Sequence, residues 1–151
     1  MTEKYDSTKA TEEHRAMVAR FMNVVIVNLD ERIKNHDRSK LVSPEKEMFD
    51  EFTPKLKDST YGSDEYKGYL VSMGEALKHH YENNSHHPEH YVNGIDGMSL
   101  LDLIEMFCDW QAATLRHADG NIEKSIEINR ERFGMTDQLH SIFINTLREL
   151  W

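Results

Sequence analysis

From Thr11 to Ile33 the chain runs without a glycine or a proline, and its apolar residues fall at Met17, Val18, Phe21, Val24, Val25, Ile26, Leu29 and Ile33. Spacings of three and four put those side chains on one face of a helix, whereas a half-buried strand would need strict alternation. No other stretch alternates with period two for long enough to make a credible sheet, so the chain is constrained to helices almost throughout.

The remaining segments carry their own start and stop signals. Ser43-Pro44-Glu45 opens a second helix to Leu56, with serine as N-cap and proline at the first helical position. A third runs from Ser63 to about Asn84, and Asn93-Gly94 and Asp96-Gly97 mark turns after it. Ser99 and Asp102 form an S-x-x-D capping box that starts a helix to about Arg116, where His117 reads as a cap favoured by the helix dipole. Ile122 to Phe133 follows, stopped by Gly134, and a last helix from Thr136 or Asp137 carries Leu139, Ile142, Phe143, Leu147, Leu150 and Trp151, an apolar set that must dock. The expectation is an all-α bundle of about six helices. At 151 residues, a single domain over 11–151 with a frayed or disordered segment at 1–10 accounts for the length.

Charge narrows the partners. A net charge of -9 disfavours binding to duplex nucleic acid or to anionic membranes, so a phosphate-bearing ligand should be small and locally paired with Lys or Arg. The longest apolar run, Val24 to Val27, is far too short to span a bilayer, and the N-terminus has no signal-peptide pattern, which points to the cytoplasm. The one cysteine, Cys108, follows Met106-Phe107 and reads as buried and inert. Composition leaves homo-oligomerisation open.

Five of the nine histidines crowd into HHYENNSHHPEH, from His79 to His90. Imidazole is the commonest metal ligand, and this density calls for more than packing. On a helix His79, Glu82 or Asn83, and His86 stack turn over turn, with His80 and His87 displaced by about 100°. Pro88 stops His87 from continuing as ordinary helix and sends His90 off independently. All five therefore cannot reach one ion. A second element is His36-Asp37 in KNHDRSKL, where both side chains can face one cavity only at a helix end. Asp102, Glu105 and Asp109 share one helical stripe; Asp102 has a full alternative as a capping residue, so Asp109 is the better ligand candidate and Asp102 the runner-up.

A lone histidine (His14), a His-Asp pair (His36-Asp37) and a distal aspartate (Asp109) together resemble the HD-domain metal-dependent phosphohydrolases. Over nearly its whole length the chain is also similar to an uncharacterised family of bacterial and phage proteins that share strings like HDRSK, KHHYENNSHHPEHY, MSLLDLIEMFCDW and SIEINRERFG. The HD resemblance implies an all-helical fold, one or two divalent metals, and cleavage of phosphate esters, commonly of nucleotides. It also implies that histidines between the His-Asp pair and the distal Asp bind a second metal, here His80, His86, His87 and His90. His14 fits only if the first helix breaks near Asn28-Leu29-Asp30, because 22 residues of straight helix would set it roughly 33 Å from His36.

The chemistry expected of such a site uses imidazoles and carboxylates on Mn, Fe, Co, Ni or Zn, or Mg where carboxylates and water dominate. Lys40, Arg38 and Lys78 are the nearest cations for a phosphate, and Glu45, Glu82 and Glu89 are candidates for a general base or further ligand, with Asp37, Lys40 and Glu82 as the catalytic set. P-loop, dinucleotide and H-E-x-x-H motifs are absent. Two rivals come from other classes. A helical di-iron protein would lack its Glu-x-x-His element, since no histidine here has a glutamate three residues before it. A non-catalytic interaction protein would use the metal only to fix its loop.

Overall fold

The computed structural model describes residues 5–116 and 118–151; His117, the expected dipole cap, lies outside them, as do residues 1–4 of the segment expected to be frayed. The described residues form seven α-helices and no strand. The chain divides into two compact units, Met1–Asn35 and His36–Trp151, where the sequence reading puts one domain over 11–151.

The first unit is one helix, α1, over Thr8–Asn35, so Thr8, Lys9 and Ala10 of the expected frayed segment are helical. The expected break near Asn28-Leu29-Asp30 does not occur. Asn28 Nδ2 donates to the Val24 carbonyl at 2.8 Å, so its amide bonds back inside the helix, which runs on to Asn35. His14 consequently stands 21 residues before the end of α1, about 32 Å along its axis. Charged pairs such as Arg15 with Glu12 and Lys34 with Asp30 line the polar side. No residue of α1 is buried.

The second unit opens with a 3-10 turn over Arg38–Leu41, then α2 over Glu45–Asp58. Ser43 does not cap α2; Pro44 takes the N-cap position in helical conformation, and no side chain bonds the first turn. The expected third helix is two, α3 over Asp64–Ser72 and α4 over Gly74–Asn83, which raises the count from six to seven. The chain bends at fully buried Met73, just before Gly74, a weak helix former. Pro88 begins a new 3-10 turn over Pro88–His90, as its ring requires.

Next come α5 over Leu100–Thr114, α6 over Ile122–Phe133 and α7 over Asp137–Leu150. The Ser99–Asp102 capping box forms, Asn121 and Thr136 cap their helices, and Gly134 closes α6 at φ 62°, a conformation that glycine adopts without a Cβ clash. These three helices enclose the core: Met106, Phe107, Ile126, Met135, Phe143 and Leu147. The Phe107 and Phe143 rings stack 5.2 Å apart, and α7 docks through Leu139, Phe143 and Leu147, whereas Ile142, Leu150 and Trp151 of the expected apolar set stay exposed. Cys108, expected inside, is exposed, because it lies about 100° around α5 from Phe107. Among the described residues no helix is long and apolar enough to cross a membrane.

Candidate metal centre

Asp37 follows the last residue of α1 by two positions and adopts a left-handed conformation, φ 53° and ψ 17°. Aspartate tolerates that region better than most residues, and the turn aims its carboxylate at the histidine window. α4 supplies His80 from its buried face. The turn after Asn84, pinned where Asn84 Nδ2 donates to Ser39 Oγ and to the His80 carbonyl, both at 2.8 Å, brings in His86 and His87. α5 supplies Glu105 and Asp109 from one stripe.

These residues make three overlapping groups whose ligand atoms lie within 4.8 Å of one another: Asp37 with His80, His86 and His87; His36 with His86 and Glu105; and His36 with Asp37 and Asp109. In the first group His80 Nε2 is 3.3 Å from Asp37 Oδ1, His86 Nε2 is 3.5 Å from that same oxygen, and His80 Nε2 is 2.9 Å from His87 Nε2. Two ligands each about 2.1 Å from an ion stand about 3.0 Å apart at right angles and about 3.4 Å apart at the tetrahedral angle. The three separations match those edges. His36 Nε2 is 3.6 Å from both Asp37 Oδ2 and Asp109 Oδ1, so the two oxygens of Asp37 face two different groups.

The rings are oriented from behind. His36 Nδ1 donates to Glu105 Oε1 at 2.9 Å, and His86 Nδ1 stands 3.1 Å from that same oxygen. Glu45, fully buried, accepts from His80 Nδ1 at 2.9 Å, from His79 Nδ1 at 2.7 Å and from Ser39 Oγ at 2.9 Å. A carboxylate on one ring nitrogen fixes the tautomer and leaves the other nitrogen as a lone-pair donor, the arrangement found behind metal-bound histidines. Yet Asp37 Oδ1 and His86 Nε2, both shielded from solvent and facing each other, have no hydrogen-bond partner. Leaving such atoms unmet costs on the order of 1–3 kcal/mol each, more for a charge, and a cation between them would satisfy both.

The electrostatics suit a cation. Burial alone would raise the Asp37 carboxyl, but His80, Lys40 and His36 hold it well below the usual carboxylate range. Asp109 and Glu105 beside it raise His36 to about 10, so at neutral pH this ring carries a proton that an ion held by its group would displace. Burial, with His86 and His80 beside it, lowers His87 to about 3 and keeps that imidazole neutral, the form that ligates.

The other expected residues are distributed differently. Lys40 donates to Asp37 Oδ2 at 2.6 Å and rests over the Phe49 ring. His90 is exposed and its Nδ1 bonds the Tyr81 carbonyl at 2.8 Å, so it joins none of the groups; Pro88 has turned it away. Glu82 is exposed, about 200° around α4 from His80, and cannot serve as a base at the cluster. Glu89 pairs with Arg132. Asp102, the runner-up, accepts from Ser85 Oγ, Tyr91 OH, and the Ser99 amide and hydroxyl at 2.7–2.8 Å, which is a structural role. His14 belongs to none of the groups among the described residues. Glu105 was visible as part of the α5 stripe, but its place behind two imidazoles was not expected.

A cavity of about 510 Å³ borders the cluster, with Lys40 and Trp110 in its wall, the latter adjacent in sequence to Asp109. Compared with known proteins, the chain matches no curated protein and no solved structure. One family model matches residues 3–149, and the chain belongs to that family, the family of unknown function (DUF5662).

Proposed function

We propose that this protein is a divalent-metal-dependent phosphohydrolase, related to the HD-domain enzymes, that acts on a small phosphate ester of the nucleotide class. The observation that carries the reading is the facing pair of buried, partnerless ligand atoms, Asp37 Oδ1 and His86 Nε2, inside a set of imidazoles already oriented by carboxylates.

Asp37, His80, His86 and His87 would hold one ion, and His36, Asp37 and Asp109 would hold a second. Imidazole and carboxylate donors suit Mn, Fe, Co, Ni or Zn, and Mg where water completes the shell. Such an ion supplies Lewis acidity toward a phosphoryl oxygen and lowers the pKa of water. The residues supply the rest. Lys40 places its ammonium at the border between cluster and cavity, where it offsets charge on a phosphate. Glu105 and Glu45 hold the rings in register, and Tyr61, Tyr66 and Trp110 give the cavity aromatic surface for a planar body.

The test is direct. Protein purified without a histidine tag is analysed for bound metal, then assayed for phosphate release from nucleoside monophosphates and an aryl phosphate with added Mn or Co. Metal-dependent turnover that Asp37→Asn reduces by at least about a hundredfold supports the reading. Tight metal without turnover across a broad phosphoester panel overturns it in favour of a metal-stabilised interaction protein. Two bound irons with an oxygen-dependent visible band would point to a redox carrier.

A further inference from the structure

The cavity is lined from α2, α5, α6 and the segments next to them, and its charged residues are not spread evenly along those elements. One wall is α2, whose Phe49, Thr53 and Leu56 follow each other at helical spacing on one face. At the near end Lys40 sits over Phe49, 4.7 Å from the ring centroid, and is bonded to Asp37. Lys57 comes eight residues after Phe49, about 12 Å farther along α2. α5 contributes Trp110, Ala113 and Thr114 to the lining, and Arg116 follows in the turn just after the helix ends at Thr114. α6 adds Lys124 and Ser125 from its first turn.

The cavity lining carries four cations, Lys40, Lys57, Arg116 and Lys124, against one carboxylate, Asp119, in a chain of net charge -9. Among the described residues Lys57, Arg116 and Lys124 have no ion pair or side-chain hydrogen bond, although acidic residues outnumber basic ones 27 to 18. Scattered solvated lysines would not converge from three elements on one concavity. The α6 N-terminus adds its positive dipole end: Asn121 accepts the Lys124 amide at 2.9 Å and leaves earlier amides of that turn for another acceptor.

We infer that this cavity selects phosphate esters that carry a second anionic group at the other end of the molecule, held by Lys57, Arg116 and Lys124, with Lys57 about 12 Å along α2 from the end that Lys40 marks. This inference rests on the phosphohydrolase reading for the near end only. Aromatic and apolar side chains, among them Tyr61, Tyr66, Trp110 and Ile128, share the lining with these cations, so the body that joins the two anions is apolar or planar. A monoanionic ester of the same length would leave three cations unmatched.

A matched pair of esters tests it. Hexane-1,6-diyl bisphosphate and hexyl phosphate share one body and differ in the second anion. With the Mn-loaded protein, kcat/KM for the bisphosphate is expected to exceed that for the monophosphate at least tenfold. That ratio should fall toward one in the triple variant Lys57→Ala, Arg116→Ala, Lys124→Ala, whose exposed side chains can be truncated without opening the core. A wild-type ratio near one, or a ratio unchanged in the variant, overturns the inference. If neither ester is hydrolysed, the phosphohydrolase reading fails and the cavity is judged by calorimetric binding of the bisphosphate to metal-free protein. Binding weakened at least tenfold in the variant supports the anion site; equal or absent binding overturns it.

Discussion

Replacing Asp102 by alanine should destabilise the protein by about 4 kcal/mol, and the structure says how. The carboxylate is 1% exposed and accepts four hydrogen bonds. The two from Ser99 complete the cap of α5, worth about 1 kcal/mol. Those from Ser85 and Tyr91 tie the middle of the histidine segment and the residue just after it to that helix, and as charge-assisted bonds contribute about 1.5 kcal/mol each. For a chain of this length the loss corresponds to a Tm lower by about 12 °C, read by circular dichroism, with the urea midpoint shifted and the slope unchanged. A pH series checks the cause. Burial pushes the Asp102 carboxyl up, but the bonds from Ser85, Ser99 and Tyr91 outweigh it and hold the group well below the usual carboxylate range. A lowered folded-state pKa gives stability that is complete above the unfolded value, about 3.9, and is lost as pH falls from there toward the folded value. The gap between wild type and Asp102→Ala should stay constant from pH 8 to 5 and narrow below about 4. A gap under about 1 kcal/mol, or one that stays constant into strong acid, would refute this account of Asp102.

Four further outcomes follow from the same geometry. Divalent metal at a hundred times its Kd should stabilise wild type by about 2.7 kcal/mol, and Asp37→Asn should abolish the metal-induced rise in Tm. Glu105→Gln should keep the fold but weaken metal affinity by about 10- to 100-fold in a competition titration, since it loosens His36 and His86 together. His90→Ala should leave metal content unchanged and stability within about 0.5 kcal/mol, because the ring is exposed and turned from the cluster. Ile126→Ala, which empties a fully buried site between α5 and α7, should cost about 2–5 kcal/mol in chemical denaturation without changing metal stoichiometry in the folded protein.

The helices were legible in the sequence where a local signal decided them. Ser99 with Asp102 and Gly134 act through bonds to residues a few positions away, and they start α5 and stop α6 as the sequence reads; of Thr136 and Asp137, Thr136 is the N-cap of α7. The misreadings arose where one residue type has two local uses. Asn28 is a residue type that can end a helix, but here its amide reaches the carbonyl four residues back and the helix continues. Helical phase also places Cys108 outside the core that its neighbours Met106 and Phe107 occupy.

The candidate site divides along a different line, the sequence distance over which its parts meet. The sequence names His80, His86 and His87 together with His90; the first three do meet, whereas Pro88 turns His90 away, a consequence of its own position in the window. Glu45 and Glu105 could not be placed, since they meet their imidazoles across 35 and 69 positions. The α5 stripe shows how little spacing alone resolves. Asp102, Glu105 and Asp109 share one face, yet Asp102 is consumed by a cap and loop anchors, Glu105 backs two rings, and only Asp109 presents its oxygens to the Nε2 side of His36. Three carboxylates on one stripe thus take three depths relative to the cluster. The depth of each is set by the donors that reach it first: backbone and hydroxyl groups at the helix start, then imidazole Nδ1 atoms, then the side of the rings where partnerless ligand atoms remain.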